Sequence, residues 1–329
     1  MDLNTVVTIT PARERGDLRL LGDTVAPLAG GSELFADPRV HLTGLVDLQA
    51  FGWPALTITA DGLDIAATCT LAQLAALPAQ PGWAAHPLLF ECCTALYGSF
   101  KVWNVATVGG NLATALPAGP MTSLAAALDA EVLVWRRDGS DERLPAADFV
   151  TGNMTTVLGT GDVLRSIHIP EASLRARTAF RKIALSPIGR SGAVVIGRLD
   201  RDGRFTLTVT AATLRPVQLR YDTVPTAAEL RADIAGIDAW FTDAHGAADW
   251  RAAVSAVLAE EIRQQLDAPE PGTTPIPAVD PSASTSGSGE SVPAASAPVT
   301  DATGQDSSGQ DAAPGSDAGT IPTEGEARP

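Results

Sequence analysis

The sequence predicts an α+β fold of two folded parts followed by an acidic tail. Three observations carry this expectation: short alternating segments bounded by turn residues, helical-period segments that do not alternate regularly with them, and an abrupt change of composition after Asp267.

Residues 5–10 and 56–59 read as short strands and residues 70–77 as a short helix. Residues 131–135 and 142–144 flank Arg136-Arg137-Asp138-Gly139-Ser140-Asp141, a strand, a turn and a strand. A second hairpin runs along 193–199, turns through Asp200-Arg201-Asp202-Gly203 and returns along 205–210. Near 173–178 a strand ending in Ile169-Pro170 gives way to an Arg-rich connector, which places a domain boundary there. Residues 249–266 repeat apolar side chains at helical spacing with charge opposite, the pattern of an amphipathic helix. Residues 268–329 are rich in Pro, Ser, Gly, Ala, Thr and Asp and have no apolar face to offset chain entropy, so a disordered tail is expected. Nine acidic residues against one basic one, Arg328, give this tail about half of the net charge of -15.

At 329 residues and 45% hydrophobic, the chain can bury two cores. Its negative charge argues against a nucleic-acid surface, which must replace counterions with Lys and Arg. Only two lysines are present, Lys101 and Lys182. Asp129 and Glu131 interrupt the most apolar stretch, so no membrane span is expected. The opening Met1-Asp2-Leu3-Asn4 lacks a basic region followed by an apolar one, which makes a cytoplasmic location the expectation. Cys69, Cys92 and Cys93 read as buried free thiols and are too few to hold an iron-sulfur cluster. His41, His86, His168 and His245 are dispersed and suggest neither a metal cluster nor a catalytic triad.

Two glycine pairs carry the chemistry: Ala29-Gly30-Gly31-Ser32-Glu33-Leu34 and Thr107-Val108-Gly109-Gly110-Asn111-Leu112. Glycine lets a backbone curl its N–H groups around an anion at close range, and Ser or Thr adds a hydroxyl. Two such loops could share one diphosphate; a pair of tight turns is the alternative reading. Neither loop has the dinucleotide-fold glycine spacing or the lysine of a P-loop.

An ordered series of motifs extends these loops. Leu28-Ala29-Gly30-Gly31-Ser32-Glu33-Leu34, Leu45-Val46-Asp47-Leu48 and Leu63-Asp64-Ile65-Ala66-Ala67-Thr68-Cys69-Thr70 come first. Asn104-Val105-Ala106-Thr107-Val108-Gly109-Gly110-Asn111-Leu112, Pro117-Ala118-Gly119, Leu144-Pro145-Ala146-Ala147-Asp148-Phe149 and Asp162-Val163-Leu164 follow. Phe180-Arg181-Lys182, Arg215-Pro216-Val217 and Trp250-Arg251 come last. The series resembles the FAD-binding medium subunits of the molybdopterin dehydrogenases, the family of xanthine dehydrogenase and carbon monoxide dehydrogenase. The resemblance covers about 265 residues. It implies an FAD-binding domain over 1–172, in two α+β parts at about 1–58 and 59–172, then a smaller C-terminal domain over 173–267.

The resemblance also implies roles for particular positions. The loop of Pro27, Leu28, Ala29, Gly30, Gly31, Ser32, Glu33 and Leu34 would wrap the FAD diphosphate. The loop of Thr107, Val108, Gly109, Gly110 and Asn111 would add contacts, Tyr97 would lie by the cofactor, and Leu164 and Lys182 would lie near the isoalloxazine. Relatives commonly carry Asp where Pro120 stands, Arg where Trp103 stands and Gly where Ala66 stands; residues 186–190 also depart from the family's Arg spacing. The implied function is electron transfer inside a complex. A molybdenum-cofactor large subunit oxidises substrate, a two-iron two-sulfur small subunit relays electrons, and the flavin passes them to an acceptor such as NAD or oxygen. A self-contained flavin oxidoreductase and a flavin-less assembly subunit are the alternatives.

Overall fold

A computed structural model describes residues 3–37, 39–96, 98–186 and 189–269. The last 60 residues, which hold almost all of the expected disordered tail, lie outside the described residues.

The chain opens with three short strands, β1 (Thr8–Pro11), β2 (Val25–Leu28) and β3 (Gly44–Asp47). They form a parallel sheet in the order β1-β3-β2. The strand expected at 5–10 thus begins three residues later and extends to Pro11. Pro27 sits in β2 because an edge strand has a free side on which the missing N–H costs nothing.

A larger antiparallel sheet follows, built from β4 (Leu56–Thr59), β5 (Gly62–Ala66), β6 (Glu131–Trp135), β7 (Asp141–Pro145) and β10 (Val163–Pro170). Its order is β4-β5-β10-β6-β7. Between β5 and β6 run five helices: α1 (Leu71–Ala75), α2 (His86–Ala95), α3 (Phe100–Trp103), α4 (Val108–Thr114) and α5 (Pro120–Ala127). After β7 come α6 (Ala146–Phe149) and the small hairpin of β8 (Val150–Gly152) with β9 (Thr155–Thr156). Every residue of α5 is buried, which its small residues permit: the helix is enclosed on all sides. Pro120 opens it at the first position, where a missing N–H leaves no hydrogen bond unmade.

A cation-aromatic stack joins the two sheets. The Arg165 guanidinium lies 4.1 Å from the ring centre of Trp53 and 5.6 Å from that of Trp135. Arg15 covers Trp135 at 4.9 Å, and Phe51, just beyond β3, stacks on Trp53 at 4.5 Å.

The remaining elements are α7 (Glu171–Leu174), β11 (Arg177–Ala184), β12 (Ser191–Leu199), β13 (Phe205–Thr210), β14 (Val217–Tyr221), α8 (Ala227–Ala235) and α9 (Ala248–Asp267). The four strands form an antiparallel sheet in chain order. The sequence Phe205-Thr206-Leu207-Thr208-Val209-Thr210 shows why this sheet is covered on both faces. Phe205, Leu207 and Val209 join the core with Leu230 and Ile234 of α8 and Ile262 of α9. The threonines alternate to the other face, where Thr210 meets Ser123 of α5 at 2.7 Å. Thr226 and Glu229 form a reciprocal cap at the start of α8.

The architecture is the α+β arrangement that the pattern predicts, with the β12–β13 hairpin and α9 within one or two residues of expectation. Cys69, Cys92 and Cys93 are all free and buried. Burial pushes Cys69 and Cys93 up to about 12, so they are neutral core thiols. Among the described residues no helix is long and apolar enough to cross a membrane.

Candidate functional site

The two glycine segments meet in space. Gly30 rests on the backbone of Val105 and Ala106, immediately before Thr107: a Cβ added at Gly30 would stand 1.6 Å from the Val105 carbonyl oxygen. Gly31 takes a left-handed backbone (φ 72°), and a Cβ there would enter the Phe35 ring at 2.6 Å. Pro27 and Leu28 end β2, so Ala29, Gly30, Gly31, Ser32, Glu33 and Leu34 form the loop at the end of that strand. Within it, the carbonyls of Gly31 and Glu33 accept from Phe35 and Ala36. Among the described residues, the N–H groups of 30–34 have no protein acceptor. Five successive unpaired amides are the donor set an anionic ligand requires.

The second loop is built differently. Thr107 caps α4, its hydroxyl oxygen accepting the Gly110 N–H at 3.0 Å. Val108 donates to the Cys69 carbonyl at 2.8 Å, Gly109 to that of Ala67 at 3.0 Å, and Asn111 to that of Thr107 at 2.9 Å. The amides of 108–111 are therefore spent inside the protein. Gly109 is glycine because α4 lies against Ala67: a Cβ would stand 2.4 Å from the Ala67 methyl. The two glycine pairs thus differ: the amides of the first loop are free of protein acceptors, and those of 108–111 in the second are not. What 107–111 can offer is side-chain chemistry from Thr107 and Asn111 and close approach at Gly110. Asn111 also accepts the Met121 N–H at 2.9 Å, tying α4 to α5.

The other candidates are spread around this junction. Leu164 is 4% exposed and packed in the main core, paired across strands with Val134, so its side chain is a core group. Lys182 lies in β11 opposite Val194, on the strand face of Phe180 and opposite that of Arg181, which bonds to α9. Among the described residues its ammonium has no hydrogen bond or ion pair, and burial lowers its pKa. Tyr97 lies outside the described residues.

Two further features flank this junction. Trp103 Nε1 and Thr122 Oγ1 are buried polar atoms without a partner, flanking the second loop in α3 and α5. Residues 116–119 form a turn closed by Gly119 N–H to the Leu116 carbonyl at 2.7 Å, and the Ala118 N–H has no acceptor among the described residues. Free amides, orphaned polar atoms and two touching loops fit an elongated, oxygen-rich ligand.

Residues 10–172 match the family described as FAD binding domain in molybdopterin dehydrogenase. They belong to this family, and its cofactor is FAD. The chain is 30% identical over 95 residues to the glyceraldehyde dehydrogenase medium chain of Sulfolobus acidocaldarius, covering 29% of this chain and 33% of that one. It is 26% identical over 124 residues to xanthine dehydrogenase 1 of Arabidopsis thaliana, covering 35% of this chain and 9% of the plant protein. The match therefore spans a third or less of these relatives' lengths. Similar solved structures are quinoline 2-oxidoreductase of Pseudomonas putida (TM-score 0.69, 20% identity, 81% of this chain and 98% of that one) and CO dehydrogenase of Oligotropha carboxidovorans (0.68, 20%, 81% and 99%). At that identity the likeness establishes the fold. It extends past the FAD-binding domain into the C-terminal sheet and its helices.

Proposed function

We propose that this chain is the FAD-carrying medium subunit of a molybdenum hydroxylase, an oxidoreductase complex in which it delivers electrons to a terminal acceptor. The observation that carries the reading is the meeting of the unpaired amides of 30–34 with the second glycine loop, inside a domain of the FAD-binding family. FAD, when bound, supplies the one- and two-electron redox chemistry such a role requires.

This chain's residues hold and tune. The first loop binds the diphosphate through its amides. Thr107 and Asn111 orient it from the other side. Lys182 places an unpaired positive charge, partly withdrawn from water, where it favours a neighbouring negative charge. With three thiols committed to the core, the iron-sulfur centres belong to a small subunit and the molybdenum cofactor to a large one.

The test is purification of the intact chain with whatever accompanies it, followed by an absorption spectrum and subunit masses. Flavin bands with one larger and one smaller co-purifying chain are expected. Purification without flavin overturns FAD binding, and flavin on a solitary active chain overturns the electron-transfer role in favour of a self-contained flavoenzyme.

A further inference from the structure

Four residues other than glycine take a left-handed backbone among the described residues: Ala115, Asp129, Met154 and Ala211. That conformation is disfavoured for any residue with a Cβ and persists only where the surroundings fix it. Three of the four converge on one short segment. Met154 donates its N–H to the carbonyl of Ala115, which ends α4, at 2.8 Å. Ala211 donates its N–H to the carbonyl of Pro117, also at 2.8 Å.

Ala211 is held from behind. Its carbonyl accepts Arg251 Nη1 at 3.0 Å, and Arg251 Nη2 bonds Asp243 Oδ1 at 2.5 Å. Arg251 is only 1% exposed and lies 5.0 Å from the ring centre of Phe241, whose N–H bonds the Ala212 carbonyl. The neighbouring Thr210 meets Ser123 of α5. A buried guanidinium in the C-terminal domain thus sets the backbone that grips Pro117.

The grip has a directional consequence. In a planar trans peptide the C=O and the following N–H point opposite ways. With the Pro117 carbonyl fixed on Ala211, the Ala118 N–H must point away from the C-terminal sheet. That N–H is the one without a protein acceptor. We propose that Ala211, held left-handed by Arg251, is a positioning residue that keeps the Ala118 N–H presented to an acceptor oxygen of the bound flavin dinucleotide. The inference rests on the FAD-binding reading and adds to it a donor and the device that aims it.

The test uses the full chain in the complex it forms, with Arg251→Lys and, as a control, Arg204→Lys in the exposed turn between β12 and β13. A lysine has a single ammonium and cannot bridge Asp243 and Ala211 as the guanidinium fork does. Losing this charge-assisted anchor should speed FAD release by about tenfold. Amide hydrogen exchange should rise in peptides covering 116–119 and stay at the parental rate in peptides covering 30–34. Arg204→Lys alters only an exposed pair with Asp202 and should release FAD at the parental rate. Unchanged release in Arg251→Lys, exchange that rises evenly along the chain, or equal flavin loss in Arg204→Lys would each overturn the proposal. A parent without flavin would overturn FAD binding instead, and exchange at 116–119 in Arg251→Lys would still decide whether the relay exists.

Discussion

Asp129 accepts a hydrogen bond from Arg198 Nη2 at 2.5 Å, joining the end of α5 to the C-terminal sheet. The same carboxylate accepts from both terminal nitrogens of Arg220 and from Gln218, while Arg198 also bonds the Ala127 carbonyl and Asp200. Side-chain exposure is 28% for Asp129 and 5% for Arg198, so the pair is poorly screened. Burial alone would raise the Asp129 carboxyl; hydrogen bonds and charge from Arg220 and Arg198 outweigh it and hold the group at about 2.

A folded-state pKa below the ordinary value of 3.8 means the contribution is present above pH 4 and is lost as pH falls toward 2. Asp129→Asn should therefore cost about 2 kcal/mol at neutral pH, and the difference from the parent should shrink across that window. Denaturant titrations at pH 7, 4 and 2.5 check this. A variant penalty that does not change with pH would detach the effect from ionisation.

Gly30→Ala should abolish flavin retention, because the added methyl collides with the Val105 carbonyl and pushes the two loops apart. Gly110→Ala should be milder. Its Cβ would crowd Thr107 Oγ1 at 2.7 Å and weaken the cap of α4, at about 1 kcal/mol. Flavin per chain and the thermal midpoint, measured for both, should separate a lost cofactor from a lost cap; parental flavin content in Gly30→Ala would show that the loops need not touch.

The glycine pairs were visible in the sequence, and their physical reasons were not. Gly109 is required by Ala67, and Gly30 by Val105, residues 42 and 75 positions away; no local pattern encodes such contacts. The period-two run 205–210 announced a strand, while the burial of its threonine face under α5 depends on residues such as Ser123, 87 positions from Thr210. Arg251 stood in the sequence only as half of the Trp250-Arg251 motif, and only tertiary structure reveals it as the anchor of Ala211. Asp129 read as an interruption in an apolar stretch rather than as an ionic hub, because its partners lie 69 and 91 residues on.

Lys182→Met should leave FAD bound and lower its reduction potential. Removing one favourable charge interaction of about 1.4 kcal/mol corresponds to roughly 30 mV for a two-electron couple. Lys101, in the short helix α3, is the internal control and should tolerate the same change. Potentiometric titration of both variants decides: equal shifts, or none, would remove Lys182 from the flavin's surroundings.

Shortening the chain tests where its folded part ends. Arg177 Nη1 donates to the Leu266 carbonyl at 3.1 Å and Nη2 to the Ala268 carbonyl at 3.0 Å, so the start of β11 closes on the end of α9. Leu266 is itself buried in the core shared by α9 and the C-terminal sheet. A chain ending at residue 269 keeps both acceptors and the core side chain, and it should retain its flavin and its thermal midpoint. A chain ending at residue 265 loses both carbonyls and a buried leucine, a cost of about 2–5 kcal/mol from the leucine alone. Its midpoint should fall sharply. If the longer truncation product were also destabilised, residues beyond 269 would have to contribute packing that their composition does not suggest.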